Sequence, residues 1–127
     1  MNRTDIRESV IKLLYLETMG GSFNKSDYDQ VVLSLLEDVL AHVDEIDRII
    51  SDNLQNWTID RLNYVDKAII RYAVYEMKFK QLPYEIAINE AIEMTKKYSN
   101  LDDNLATKFN NRLLDNIKNS LFGPGGS

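Results

Sequence analysis

Arg3 and Arg7 lie one helical turn apart near the start of the chain, with Lys12 close by and Tyr15 two turns beyond Arg7. Two guanidinium groups at that spacing can grip phosphates, and an aromatic ring on the same element can stack a base. Recognition of single-stranded RNA needs both. The alternative is ordinary solvated charge, with Tyr15 packed at the edge of a core. Glu76 is a second candidate, because it sits in an otherwise apolar run where a carboxylate costs free energy unless it is paired. Lys80, at i+4, is the obvious local partner, and Arg71 lies a turn and a half away. A Glu76 used for function would instead face the rim and touch a ligand or a second protein. Lys78 and Lys80 add positive charge at the end of the same run.

The raw material for other chemistry is thin. The chain has no Cys and one His, which removes thiolate zinc sites, Cys nucleophiles and most His-dependent acid–base catalysis. His42 stands beside Asp44 and Glu45 without a nucleophile or further ligands spaced to use it. Near a helix C-terminus it is a mild complement to the helix dipole. The acidic run Asp44, Glu45, Asp47 and Asp52 lacks the alternating oxygen ligands around a glycine turn that a calcium loop requires. No glycine-rich phosphate loop is present. The expectation is a protein that is not an enzyme and holds no metal or cofactor.

The elements that must position these residues are helical throughout. Ile6, Val10, Leu13 and Leu14 form one apolar stripe over residues 4–19, ended by Gly20 and Gly21. Ser26 is the expected N-cap of a second helix with the stripe Tyr28, Val31, Val32, Leu35, Leu36, Val39, Leu40 and Val43. A shorter third helix carries Ile46, Ile49, Ile50 and Leu54; Trp57 sits in the break after it, and Thr58 can cap a short turn. Asn63 can cap a fourth helix over roughly residues 64–80, apolar nearly all round and so expected at the centre of a bundle. Pro83 suits the first turn of a fifth helix with Ile86, Ala87, Ala91, Met94 and Tyr98 inward. The sixth runs from about Asp102 to Leu121 with Leu105, Phe109, Leu113, Leu114, Ile117 and Leu121 inward. No strand pattern appears. The expected architecture is a compact all-α single-domain bundle of six or seven helices over residues 1–122, with 123–127 a flexible tail resembling an expression remnant.

At 127 residues and 44% hydrophobic content, one domain with a real core is expected. The net charge of −5 is unevenly spread: residues 26–60 carry nine acidic and one basic residue, and the remainder is at +3. Such asymmetry signals a partner. No apolar run approaches a membrane span, and no secretory signal opens the chain, so a cytosolic protein without membrane contact is expected.

Two long blocks resemble the NusB transcription antitermination factor family. Val65-Asp66-Lys67-Ala68-Ile69-Ile70-Arg71-Tyr72-Ala73-Val74-Tyr75-Glu76-Met77 resembles its central-helix signature, and Pro83-Tyr84-Glu85-Ile86-Ala87-Ile88-Asn89-Glu90-Ala91-Ile92-Glu93 the segment that follows. Lys108-Phe109-Asn110-Asn111-Arg112-Leu113-Leu114-Asp115 is similar to the closing block, and Arg7-Glu8 with Leu14-Tyr15 to the first helix. The resemblance covers about residues 3–118. It implies an RNA-binding adaptor for the boxA element of ribosomal-RNA leader transcripts, acting with NusE, the small-subunit ribosomal protein, in an RNA polymerase elongation complex. It places Arg7 and Tyr15 on the RNA-contacting side of the first helix, Arg3 at an edge of the family's arginine-rich stretch and Glu76 at a rim position near the RNA and partner surfaces. Arg3, Lys12, Lys78 and Lys80 are further RNA-binding candidates on their charge. Thr4 and Asp5 stand where more basic residues are usual, Arg112 replaces a glycine and Asn110 a valine. The thinner arginine cluster implies weak RNA binding by the isolated chain. The other readings are an acidic protein–protein adaptor docking through residues 26–60, and a relative of the NusB-like domain of ribosomal-RNA cytosine methyltransferases. Monomer and homodimer are both compatible with the sequence.

Overall fold

The computed structural model describes residues 1–55, 58–99 and 104–123. Among them are six α-helices and no strand: α1 Arg3–Thr18, α2 Gln30–Ala41, α3 Val43–Asp52, α4 Tyr64–Lys78, α5 Tyr84–Tyr98 and α6 Leu105–Phe122. Single 3₁₀ turns cover Lys25–Asp27 and Ile59–Arg61.

α4 is the axis of the bundle. From Asp66 to Met77 every residue except Arg71 is buried, as its all-round apolar pattern requires. α1, α3, α5 and α6 pack around it, with α2 closing over α1. Asn63 starts α4 by accepting the Asp66 amide at 2.7 Å. At its other end Gln81 takes a left-handed conformation (φ 53°), and the Leu82 amide returns to the Glu76 carbonyl at 3.0 Å. Pro83 then occupies the N-cap position of α5. α1 begins at Asn2, whose side chain accepts the Asp5 amide at 2.8 Å. It ends where Gly20 adopts φ 76° and the Gly21 amide bonds the Leu16 carbonyl at 2.8 Å, as the glycine pair predicts.

α1 and α4 are antiparallel: Arg7 meets Glu76 near one end and Thr18 meets Arg71 near the other. Arg71 also donates to both Asp47 oxygens, at 2.8 and 2.7 Å, so one guanidinium ties α4 to α3 and α1. Behind α4, the buried Asn110 of α6 donates to Asp66 at 3.0 Å and to Thr95 of α5 at 3.1 Å. Asn110 therefore serves as a polar tie among three helices.

Several local expectations are corrected. α2 starts at Gln30, and Tyr28 lies outside it; Ser26 belongs to the preceding 3₁₀ turn, whose cap is Asn24. Thr58 precedes its short turn without a side-chain capping bond. Val31, Ile86, Tyr98 and Leu105, expected inward, are exposed. In α5 the buried stripe is Ala87, Ile88, Ala91, Met94 and Thr95. Ile86 is displaced from Ala87 by roughly 100° around the helix and so falls outside it. Trp57, the pair Asp102–Asp103 and tail residues 124–127 lie outside the described residues.

Candidate nucleic-acid interface

The seven candidate residues divide among three places. Arg3, Arg7, Lys12 and Tyr15 are on α1, and Arg3 and Lys12 are exposed. Tyr15 is half-buried and packed against the core.

The sequence places Arg7 on the exposed side of α1. The structure corrects this, since Arg7 is 6% exposed. Its Nε and Nη2 donate to Glu76 Oε1 and Oε2, both at 2.9 Å, and its Nη1 lies 3.5 Å from Glu90 of α5. Glu76 is correspondingly buried, and its partner is Arg7 rather than Lys80 or Arg71. Burial weighs most on Arg7 and opposes its charge. The hydrogen bonds and charge of Glu76, with Glu90 behind them, outweigh it and leave the pKa above its ordinary value. Burial also pushes the Glu76 carboxyl above the usual carboxylate range, with Arg7 restraining the rise and Glu90 adding to it. In this position Arg7 does not present its guanidinium to a phosphate. It fastens α1 to α4 and reaches toward α5.

Lys78 and Lys80, two residues apart, part company at the end of α4. Lys78 lines a groove with Gln81, Tyr84 and Phe122, whereas Lys80 lines another with Glu37, Asp38 and Tyr75. The two carboxylates beside Lys80 weaken its pull on a polyanion. Tyr75 donates its hydroxyl to Asp38 in that groove. His42, in the joint between α2 and α3, donates Nδ1–H to the Asp38 carbonyl at 2.8 Å and packs its ring against Phe79, tilted by 34° with ring centres 4.1 Å apart, which is a structural role.

Two residues that the sequence reading did not single out for RNA complete the α1 face. Lys97 and Tyr98, in the last turn of α5, both donate to Glu8 of α1 at 2.7 Å. The Lys12 ammonium lies 5.7 Å from the centre of the Tyr98 ring. The sequence signal is the adjacent Lys96-Lys97-Tyr98, basic residues beside an aromatic, masked because Tyr98 continues an apparent apolar stripe. The hydrogen bonds from Lys97 and Tyr98 hold the Glu8 carboxyl below its ordinary value. The fold and this face are those of a helical module that presents positive charge and an aromatic ring to solvent.

The model of the NusB family matches residues 4–119. The chain is 35% identical over 131 residues to the transcription antitermination protein NusB of Bacillus subtilis (strain 168), covering 95% of this chain and 98% of that protein. Its fold matches T. maritima NusB with a TM-score of 0.76 at 30% identity, over 92% of this chain and 90% of the other. It matches a chain in the crystal structure of antitermination factors NusB and NusE with dsRNA at a TM-score of 0.75 and 27% identity, over 93% and 96% of the two chains. The chain belongs to the NusB family.

Proposed function

We propose that this protein is a transcription antitermination adaptor that binds boxA-type RNA of ribosomal-RNA leader transcripts together with NusE, within a cytoplasmic RNA polymerase elongation complex. Membership of the NusB family, with its likeness to a NusB solved beside NusE and RNA, carries the reading. The exposed basic and aromatic groups of α1 and α5 support it. Arg3 and Lys12 act as phosphate contacts and the free side of Tyr15 as a base contact. Lys78 extends the surface, and Lys80 adds less beside Glu37 and Asp38. Arg7 and Glu76 are positioning residues that set α1 on the bundle. The adaptor works by binding alone, with no catalytic step.

Filter binding of labelled boxA-type RNA, alone and with saturating NusE, tests the reading. Weak binding alone and tightening by about tenfold or more with NusE are expected. Lys12→Ala should weaken all RNA sequences alike and lower the salt slope by about 0.7, the value of one single-strand phosphate contact. Failure to bind RNA in either condition overturns the reading.

A further inference from the structure

α1 and α5 each pack on α4, and the rim between them is bridged by side chains. On that rim, at the last turn of α5, one Glu8 oxygen accepts from both Lys97 Nζ and Tyr98 Oη at 2.7 Å. The Lys12 and Lys97 ammonium groups lie 5.7 and 5.3 Å from the Tyr98 ring centre. The cluster is open to solvent: Tyr98 is 36% exposed, and the Lys97 side chain is 57% exposed. One cation and a phenol hydroxyl thus converge on a single anionic oxygen, with the second cation, Lys12, over the adjoining Tyr98 ring, which is large enough to stack a base. A backbone phosphate offers the same acceptor chemistry, and the Glu8 carboxylate occupies its place.

We propose that Lys12, Lys97 and Tyr98 form a subsite for one nucleotide of single-stranded RNA, and that Glu8 holds this subsite closed in the free protein. The proposal rests on the RNA-binding reading above. The phosphate engages the lysines and the base stacks on Tyr98. Exposed ion pairs contribute little to stability, so a phosphate can displace the carboxylate without unsettling the fold. Stacking accepts any base, and the subsite therefore adds affinity rather than sequence preference. Glu8 sets a threshold: a lone phosphate competes with a tethered carboxylate and loses, whereas a strand already held elsewhere on α1 has the effective concentration to win.

The test compares wild-type protein, Glu8→Gln and Tyr98→Leu for binding a short labelled single-stranded boxA-type RNA over a range of salt. Glu8→Gln should bind about three- to tenfold more tightly at low salt, with a salt slope steeper by about 0.7 as Lys97 is released. Tyr98→Leu should weaken binding about fivefold or more through lost stacking. As a readout on the unmutated chain, photocrosslinking with thiouridine-substituted RNA should place an adduct on Tyr98. If wild-type protein binds RNA but Glu8→Gln leaves affinity unchanged or lowers it, or no adduct forms in the last turn of α5, the closed subsite is overturned and the RNA-binding reading stands. If neither wild type nor Glu8→Gln binds RNA, both are overturned.

Discussion

Arg7 shows how a residue type that suits one role is used for another. A guanidinium one turn from Arg3 reads as a phosphate grip, and its chemistry would allow it. Glu76, a carboxylate buried on the central helix, has the stronger claim on it, because an uncompensated buried charge costs several kcal/mol. That Glu76 needs a partner was legible from its apolar neighbours. The partner was not, because it lies 69 residues away and local spacing offers only Lys80 and Arg71. Arg7→Leu should therefore destabilise the fold by about 3–5 kcal/mol, since it leaves Glu76 and Glu90 without their cation. Adding Glu76→Leu should recover most of that loss, because an apolar pair can replace a buried ion pair at little cost. Urea denaturation of the single and double variants checks both expectations. A single variant as stable as wild type would show that the pair contributes nothing.

At the scale of the helix, punctuation and stripes decided what could be read. Asn63, Pro83 and the Gly20–Gly21 pair each act through a local backbone requirement, so their positions marked real boundaries. The start of α2 was less legible. Asn24, Ser26 and Asp29 are all competent caps, and Asn24 spends its side chain on a 3₁₀ turn that delays α2 to Gln30. The inward face of a helix was ambiguous wherever apolar residues lay beside the true stripe. In α6 the buried set is Asn110, Leu113, Leu114 and Ile117, with a polar residue in register and Leu105 out of it. Tyr98 continues the apolar pattern of α5 yet is exposed, so the pattern conceals the α5 part of the candidate interface. Caps can be tested singly. Asn63→Ala removes the acceptor for the Asp66 amide at the first turn of the central helix and should cost about 1 kcal/mol of stability. Asn63→Asp, which keeps the acceptor, should cost much less. Thermal melts of the two variants followed by circular dichroism separate these outcomes, and equal losses would show that the capping bond is not the source of the effect.

Over the whole molecule the division of charge governs how a polyanion approaches. Residues 26–60 carry nine acidic residues against one basic, and Asp27, Asp29, Glu37, Asp38, Asp44 and Asp52 are exposed along α2, α3 and the segment before them. The positive groups proposed to meet RNA are few, and Arg7 is removed from their number by burial. RNA therefore meets attraction at the α1–α5 rim and repulsion from the acidic segment, each damped beyond about 8 Å at physiological salt. On this balance the isolated protein should hold boxA-type RNA weakly, and a partner that adds positive charge beside the rim should restore affinity. NusE fills that role in the proposed complex. Coupling of this kind is reciprocal: whatever factor NusE adds to RNA affinity, RNA must add to NusE affinity. Two titrations measure it, labelled RNA into the protein with and without saturating NusE, and NusE into the protein with and without saturating RNA. The two factors should agree, and both should shrink as salt rises, because the shared term is electrostatic. Tight RNA binding by the protein alone, unimproved by NusE, would mean that the sparse arginines and the acidic segment do not limit binding, and that the RNA surface lies elsewhere on the bundle.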